Sequence, residues 1–242
     1  MKKSIHVNLD PALAQRGISV VFMLAQGRLS SRAEEVLSQN WLRVQTEFRA
    51  AHRLATVLNH PHLEAYRKLH LGLGMSDSNL VPSPESLIRK LFQTDRLQSL
   101  GPTVDLYNSI SLQHLVSIGA HDAEKLGGRV SLAMNNSEIR FRPLGQKKKL
   151  SLPANEYSYQ TENNRAICRL ECKQANETKL RPDTNSWFFI LQGNQNIGPD
   201  ILAEACESLT QLLKTHLEAH CFSTATLHGS ILSANLTLPG NR

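Results

Sequence analysis

The chain reads as an α+β protein. Long apolar stripes of helical period occupy its front and return near residue 200, and a block of short alternating segments lies between them. No strand–helix–strand unit repeats along the chain. Strands grouped apart from helices build a sheet that helices cover, not a doubly wound parallel sheet. The 242 residues suit a single domain spanning 1–242. Its helical part covers about 30–100 and its mostly β part about 125–195. A closing helix and strands occupy 199–238.

Ile5-His6-Val7-Asn8-Leu9 alternates as a half-buried strand does, and Val20 to Leu24 is apolar throughout, as a fully buried strand is. That second run lies within Ile18 to Ala25, which is too short to cross a bilayer and lacks the flanks of a leader. Leu37, Trp41, Val44, Phe48, Ala51, Ala55 and Leu58 step by four and three, which predicts one helix, with Glu34 and Glu35 favourably placed at its positive end. Asn59-His60-Pro61 ends it and opens a second helix with Leu63, Tyr66 and Leu69 inward, which Gly72 and Gly74 close.

Residues 75–83 read as a loop. Ser83 reads as an N-cap, with Pro84 at the first position of a helix over Glu85 to Gln93. Val104 to Leu115 is helical in part. Strands follow at Arg129 to Met134, Glu138 to Arg142, Tyr157 to Thr161, Ala166 to Cys172 and Trp187 to Leu191, with Asn135-Asn136 as a hairpin turn. Gly198-Pro199-Asp200 starts a helix carrying Leu202, Ala205, Leu209, Leu212 and Leu217, and Ala225 to Leu238 forms one or two closing strands.

Composition narrows the function. Aromatic residues make up 5% of the chain, which argues against a single-strand binder that works by base stacking. A net charge of +6 is compatible with a transient polyanion contact without requiring one. Lys147-Lys148-Lys149, on an expected hairpin tip, reads either as a solvated loop or as a contact to a tRNA backbone. The four cysteines form no dense disulfide pattern, which suits a reduced, cytoplasmic protein.

Cys168 and Cys172, if on one strand, share a face and point into the core beside Leu170. No second pair completes a zinc site. His216 and His220 lack the intervening Glu of a metalloprotease helix, and His60 and His62 form only a loose pair. No metal is expected at either. Phosphate-cradling loops and nucleophile elbows are absent from the sequence.

The most informative run is Val104-Asp105-Leu106-Tyr107-Asn108-Ser109-Ile110-Ser111-Leu112, followed by Gly119-Ala120-His121-Asp122. Polar residues lie here among apolar ones, inside what should be core. Burying them costs free energy unless each is hydrogen-bonded, so they form either an internal network or the wall of a pocket. His121-Asp122 can be a catalytic pair, with imidazole positioning or deprotonating a water. Equally, Asp122 can cap the turn formed by Ala123-Glu124-Lys125-Leu126.

These runs resemble the tRNA-editing domain of the phenylalanyl-tRNA synthetase beta subunit, and most closely the free-standing proteins built from that domain alone. Pro82 to Lys90 is similar to the family's upstream helix start, and Phe141-Arg142-Pro143-Leu144-Gly145 to its central strand. Glu156-Tyr157-Ser158-Tyr159, Cys168-Arg169, Thr178 and Asp183-Thr184 follow in the family's order, so the resemblance spans roughly residues 60 to 195.

The resemblance implies an unusual β-sandwich or mixed sheet wrapped by helices. It also implies a hydrolase that removes a wrong amino acid from aminoacyl-tRNA by positioning a water and stabilising an oxyanion, with no metal or organic cofactor. Carried onto this chain, His121 and Asp122 take the catalytic place. Asn108 and Ser111 border the pocket from a helix, and the loop Ser117 to Asp122 forms its mouth. Gly119 stands where the synthetase has a histidine. Gln192 stands where it has the glutamate that reads a tyrosine hydroxyl, beyond the stretch containing Thr184. Glu156 and Arg169 form a further polar wall.

The synthetase's catalytic core and anticodon-binding region are absent, so aminoacylation is not expected. The implied function is editing in trans by a free-standing, tRNA-binding protein with aminoacyl-tRNA as partner and no membrane contact. The alternative is a non-catalytic binding module for an amino acid, small metabolite or RNA.

Overall fold

Strand β1 (Lys3–Leu9) and a short helix α1 (Pro11–Ala14) lead into β2 (Val20–Gln26) in the computed structural model, which describes residues 3–29, 31–75 and 80–239. A helical stretch follows: α2 (Ser31–Ala51), α3 (Leu54–Leu58), α4 (Pro61–Gly72), α5 (Ser83–Thr94) and α6 (Pro102–His114). The chain then runs through β3 (Ser117–Asp122), β4 (Arg129–Met134), β5 (Ile139–Phe141), β6 (Leu150–Leu152), β7 (Tyr157–Thr161), β8 (Ala166–Arg169), β9 (Lys173–Gln174) and β10 (Ser186–Gln192). Helix α7 (Pro199–His216) and strands β11 (Cys221–Leu227) and β12 (Ser233–Leu238) complete the fold.

The strands make a six-stranded sheet in the order β12-β1-β4-β7-β8-β9, a four-stranded sheet in the order β11-β2-β10-β3, and the hairpin β5-β6. Pairing is antiparallel except between β1 and β4. One face of the four-stranded sheet, carrying Phe22, Leu24, Phe188 and Ile190, packs on Val7, Val130, Leu132 and Tyr159 of the six-stranded sheet. Its other face, carrying Val21, Met23, Phe189 and Leu191, packs on helices through Leu37, Tyr66, Ile110, Leu202 and Leu209. Strands β2 and β10 are therefore covered on both sides, which is why both read as unbroken apolar runs. The α+β class and the mixed sheet wrapped by helices are thus as expected.

Several elements depart from the sequence reading. The first helical stripe is broken: Arg53 is extended (φ −105°, ψ 137°), and the His52 ring stacks on Phe48 with its Nδ1 2.9 Å from the Phe48 carbonyl. The restart shifts the helical phase, so Val57 is buried where Ala55 was expected. Helix α5 is capped by Pro82, while Ser83 lies within it and meets the Ser117 hydroxyl at 2.7 Å. Residues 76–79 of the expected loop lie outside the described residues.

Segment 117–122, expected as a loop, is strand β3, because it pairs with β10 along its whole length. Asn135 turns no hairpin. Its backbone continues the β4–β7 pairing, and its side chain accepts hydrogen bonds from Ser158 Oγ (2.6 Å) and Gln160 Nε2 (2.9 Å). The expected strand Ala166 to Cys172 ends at Arg169, where Leu170 adopts a left-handed conformation (φ 51°) and reverses the chain into β9.

Candidate functional site

A cavity of about 390 Å³ opens where β3 and β10 of one sheet meet the β7–β9 edge of the other, beneath α6 and the β5–β6 loop. That size lies within the range of small-molecule sites. Val104, Tyr107 and Asn108 line it from α6, one helical turn presenting all three to the same side. Pro143, Leu144 and Gln146 border it from the hairpin loop.

Strand β3 supplies one wall through the alternation of its side chains. Ser117, Gly119 and His121 share a face and stand opposite Gln192, Ile190 and Phe188 of β10. A Cβ placed on Gly119 meets nothing within 4 Å, so the missing side chain is itself cavity volume. His121 is buried, and burial pushes its imidazole down to about 3, so the ring is neutral. Its Nδ1 lies 2.8 Å from Thr178 Oγ1 and 3.3 Å from Gln174 Nε2. The Gln174 amide nitrogen also donates to the Ala120 carbonyl at 2.7 Å, which fixes the amide orientation. A donor therefore faces Nδ1, an arrangement that favours Nδ1 as acceptor and the proton on Nε2, since the Thr178 hydroxyl suits either role. The Asn108 side chain makes no hydrogen bond to another described residue.

The floor is a network that links helix, sheet and turn. Gln192 accepts from the Tyr159 hydroxyl at 2.6 Å and donates to Tyr157 Oη at 3.1 Å and to Glu171 Oε2 at 3.4 Å. The Tyr157 hydroxyl donates to Glu171 Oε2. Glu171 Oε1 pairs with His70 Nε2 at 2.8 Å, both side chains being almost wholly buried. Burial pushes the Glu171 carboxyl up, but the His70 charge and the hydrogen bonds from His70 and Tyr157 outweigh it and hold it below its ordinary value. Burial likewise depresses His70, and Glu171 more than restores it, leaving the imidazole raised. Both shifts favour the charged forms of the pair.

Cys168 lies on β8 and Cys172 beyond the Leu170 turn, so the two do not share a strand; both pack against the core beside Leu170, as expected, and both also line the cavity. Burial holds both thiols far above their usual range, which favours the protonated, less reactive form.

Of the residues singled out in the sequence, Asn108, Gly119, His121 and Gln192 line the cavity. Ser111 does not. Its hydroxyl donates to the Val116 carbonyl at 2.7 Å beneath the helix end. Asp122 faces away from the cavity and caps the following 3-10 turn, its Oδ1 accepting from Glu124 N at 3.0 Å. Asp105 accepts from Leu100 N at 3.0 Å and from Ser99 Oγ, closing the start of α6. Glu156 and Arg169 form a buried bidentate pair (2.6 and 2.8 Å) outside the cavity lining, and Thr184 accepts from Arg181 N in a turn. Lys147, Lys148 and Lys149 are exposed on the β5–β6 loop, next to the loop residues that border the opening. Sequence reasoning missed Glu171, His70, Gln174 and Tyr107. Only Tyr107 sat inside a run already singled out.

Two sheets with a helical layer, enclosing a polar-floored cavity at their junction, define a domain like that of the phenylalanyl-tRNA synthetase beta subunit. The B3/4 domain family matches residues 70–218, and the chain belongs to that family. Among solved structures, it is similar to an N-terminal fragment of the phenylalanyl-tRNA synthetase beta-subunit from Pyrococcus horikoshii. The TM-score is 0.50 at 12% identity, over 97% of this chain and 54% of the fragment. The chain thus spans about half the length of that fragment. No curated protein matches it. Among the described residues, no helix is long and apolar enough to cross a membrane.

Proposed function

We propose that this B3/4 domain edits aminoacyl-tRNA, hydrolysing the ester of a wrong amino acid in trans. The observation that carries the reading is the neutral His121, which lines a side-chain-sized cavity with its Nε2–H tautomer favoured by Gln174. An aminoacyl ester is already activated, so its hydrolysis needs a held water and a donor for the developing oxyanion. His121 Nε2–H is that donor, and Asn108, with its amide uncommitted, orients the water. The amino-acid side chain enters between Tyr107, Ile190 and the space at Gly119, and meets the Gln192–Glu171 floor. Lys147, Lys148 and Lys149 contact phosphates of the tRNA beside the opening. Asp122 has no part, since its carboxylate is committed to the turn.

Incubation of the purified protein with a panel of mischarged tRNAs tests this. We expect deacylation of at least one above the buffer rate, lowered by His121→Ala and by Asn108→Ala. Buffer-rate hydrolysis across the whole panel overturns the reading.

A second reading, a binding module without hydrolysis, is favoured by one observation: His121, Cys168, Cys172 and Glu171, all lining the cavity, are each poorly suited to act as base or nucleophile. His121 favours its proton on Nε2, both thiols favour the protonated form, and Glu171 is paired with His70. A rise in melting temperature with a free amino acid or analogue, with no deacylation, selects that reading.

A further inference from the structure

His70, Glu171 and Cys172 each bring one ligand atom to a common point, all within 4.8 Å of one another. His70 comes from the last turn of α4. Glu171 and Cys172 are neighbours in the β8–β9 turn. Consecutive residues of a strand point to opposite faces, so two adjacent side chains meet one partner only if the backbone leaves the strand conformation. Leu170 does this: it is fully buried and left-handed (φ 51°), a conformation a non-glycine residue adopts at a cost and only where its surroundings enforce it. Glu171 Oε1 then lies 2.8 Å from His70 Nε2 and 3.6 Å from Cys172 Sγ. Among the described residues, buried His70 Nε2 has the Glu171 carboxylate, 2.8 Å away, as its charged partner.

We propose that His70, Glu171 and Cys172 form a site for one divalent transition-metal ion, zinc being the ion that best fits the donors. Imidazole nitrogen, carboxylate oxygen and thiolate sulfur are the zinc ligand types. Three protein ligands with a fourth position left open is the arrangement of zinc sites that exchange water or ligand. Glu171 and Cys172 line the cavity, so the site borders it.

The supporting shell is in place. The Tyr157 hydroxyl donates to Glu171 Oε2, Gln192 Nε2 lies 3.4 Å from the same oxygen, and the His70 ring also hydrogen-bonds the Leu80 backbone. Ligation needs a neutral imidazole and a thiolate, so protons held by the ligand atoms leave to solvent when the ion binds. The site stands independently of hydrolysis, because a binding module could hold the same ion.

Chelator-stripped full-length protein titrated with Co²⁺ tests this, read by absorption. Uptake of one ion per chain is expected, with intensified ligand-field bands and a thiolate-to-cobalt charge-transfer band, both bleached by Zn²⁺. Cys172→Ser removes the charge-transfer band, whereas Cys168→Ser keeps it. His70→Gln weakens binding by more than the roughly 10–100-fold that loss of an outer-shell partner costs. A spectrum unchanged from aqueous Co²⁺, or a band lost with Cys168→Ser and kept in Cys172→Ser, overturns the site. If His70→Gln does not fold, as judged by circular dichroism, the two cysteine variants decide alone. Deacylation is not part of this readout, so its absence leaves the metal result standing.

Discussion

Gln192 Nε2 lies 3.4 Å from Glu171 Oε2 on the floor of the cavity. Position 192 holds an amide, and the carboxylate on this floor is that of Glu171. That carboxylate comes from the β8–β9 turn, and the amide at 192 bridges it to two tyrosines. A carboxylate at both positions would place two like charges in contact inside the protein.

Glu171→Gln is expected to destabilise the fold by about 2–3 kcal/mol at pH 7. Breaking a buried ion pair costs about 3–5 kcal/mol, and His70 escapes part of that by releasing its proton. Urea denaturation of metal-free protein measures the loss. A change below about 0.5 kcal/mol would mean that the pair is not ionised.

Gly119→Val is expected to leave stability within about 1 kcal/mol of the parent. The new side chain meets nothing within 4 Å, and a β-branched residue suits a strand. The same change fills the cavity, so deacylation or ligand binding should fall at least about tenfold, the equivalent of 1.4 kcal/mol. Retained activity with retained stability would show that the reacting group does not pass Gly119.

The pH dependence of stability carries the signature of His121. Its folded value of about 3 lies below the ordinary 6.5, so the unfolded chain takes up the proton first as pH falls. The contribution is full above about pH 6.5 and is lost between there and about pH 3, amounting to about 2 kcal/mol lost at pH 5. His121→Gln lacks this term and should lose correspondingly less stability between pH 8 and pH 5 in urea titrations. Equal losses in the two proteins would show that His121 is not buried as a neutral ring.

Replacing Lys147, Lys148 and Lys149 with Gln should leave the melting temperature unchanged, because all three are exposed. Affinity for tRNA should fall. The slope of log affinity against log salt should become shallower by about 2–3 if each lysine meets a phosphate. An unaltered slope would make this loop ordinary solvated surface.

Much of the architecture was legible before any coordinates. The continuous apolar runs of β2 and β10, the Pro61 and Pro199 helix starts and the stripe of α7 all rest on short-range signals, and each formed where those signals placed it. The misreadings also have local causes. A stripe that steps by four and three says nothing about a backbone break at Arg53, and a polar segment such as 117–122 reads as a loop until its pairing with β10 is known.

What the amino-acid order determined by itself was the identity and direction of most elements, and the presence near Asn108 and His121 of a polar cluster that required either an internal network or a pocket. The period of the apolar residues sets which face of each element turns inward. The tertiary structure alone decided which polar groups share a space. It sent Ser111, Asp122, Glu156 and Arg169 into contacts away from the cavity. It brought His70 from a helix end to Glu171 in a distant turn. No periodicity encodes that meeting, because it depends on how two sheets and a helical layer stack, and stacking is fixed by the summed burial of side chains far from the site itself.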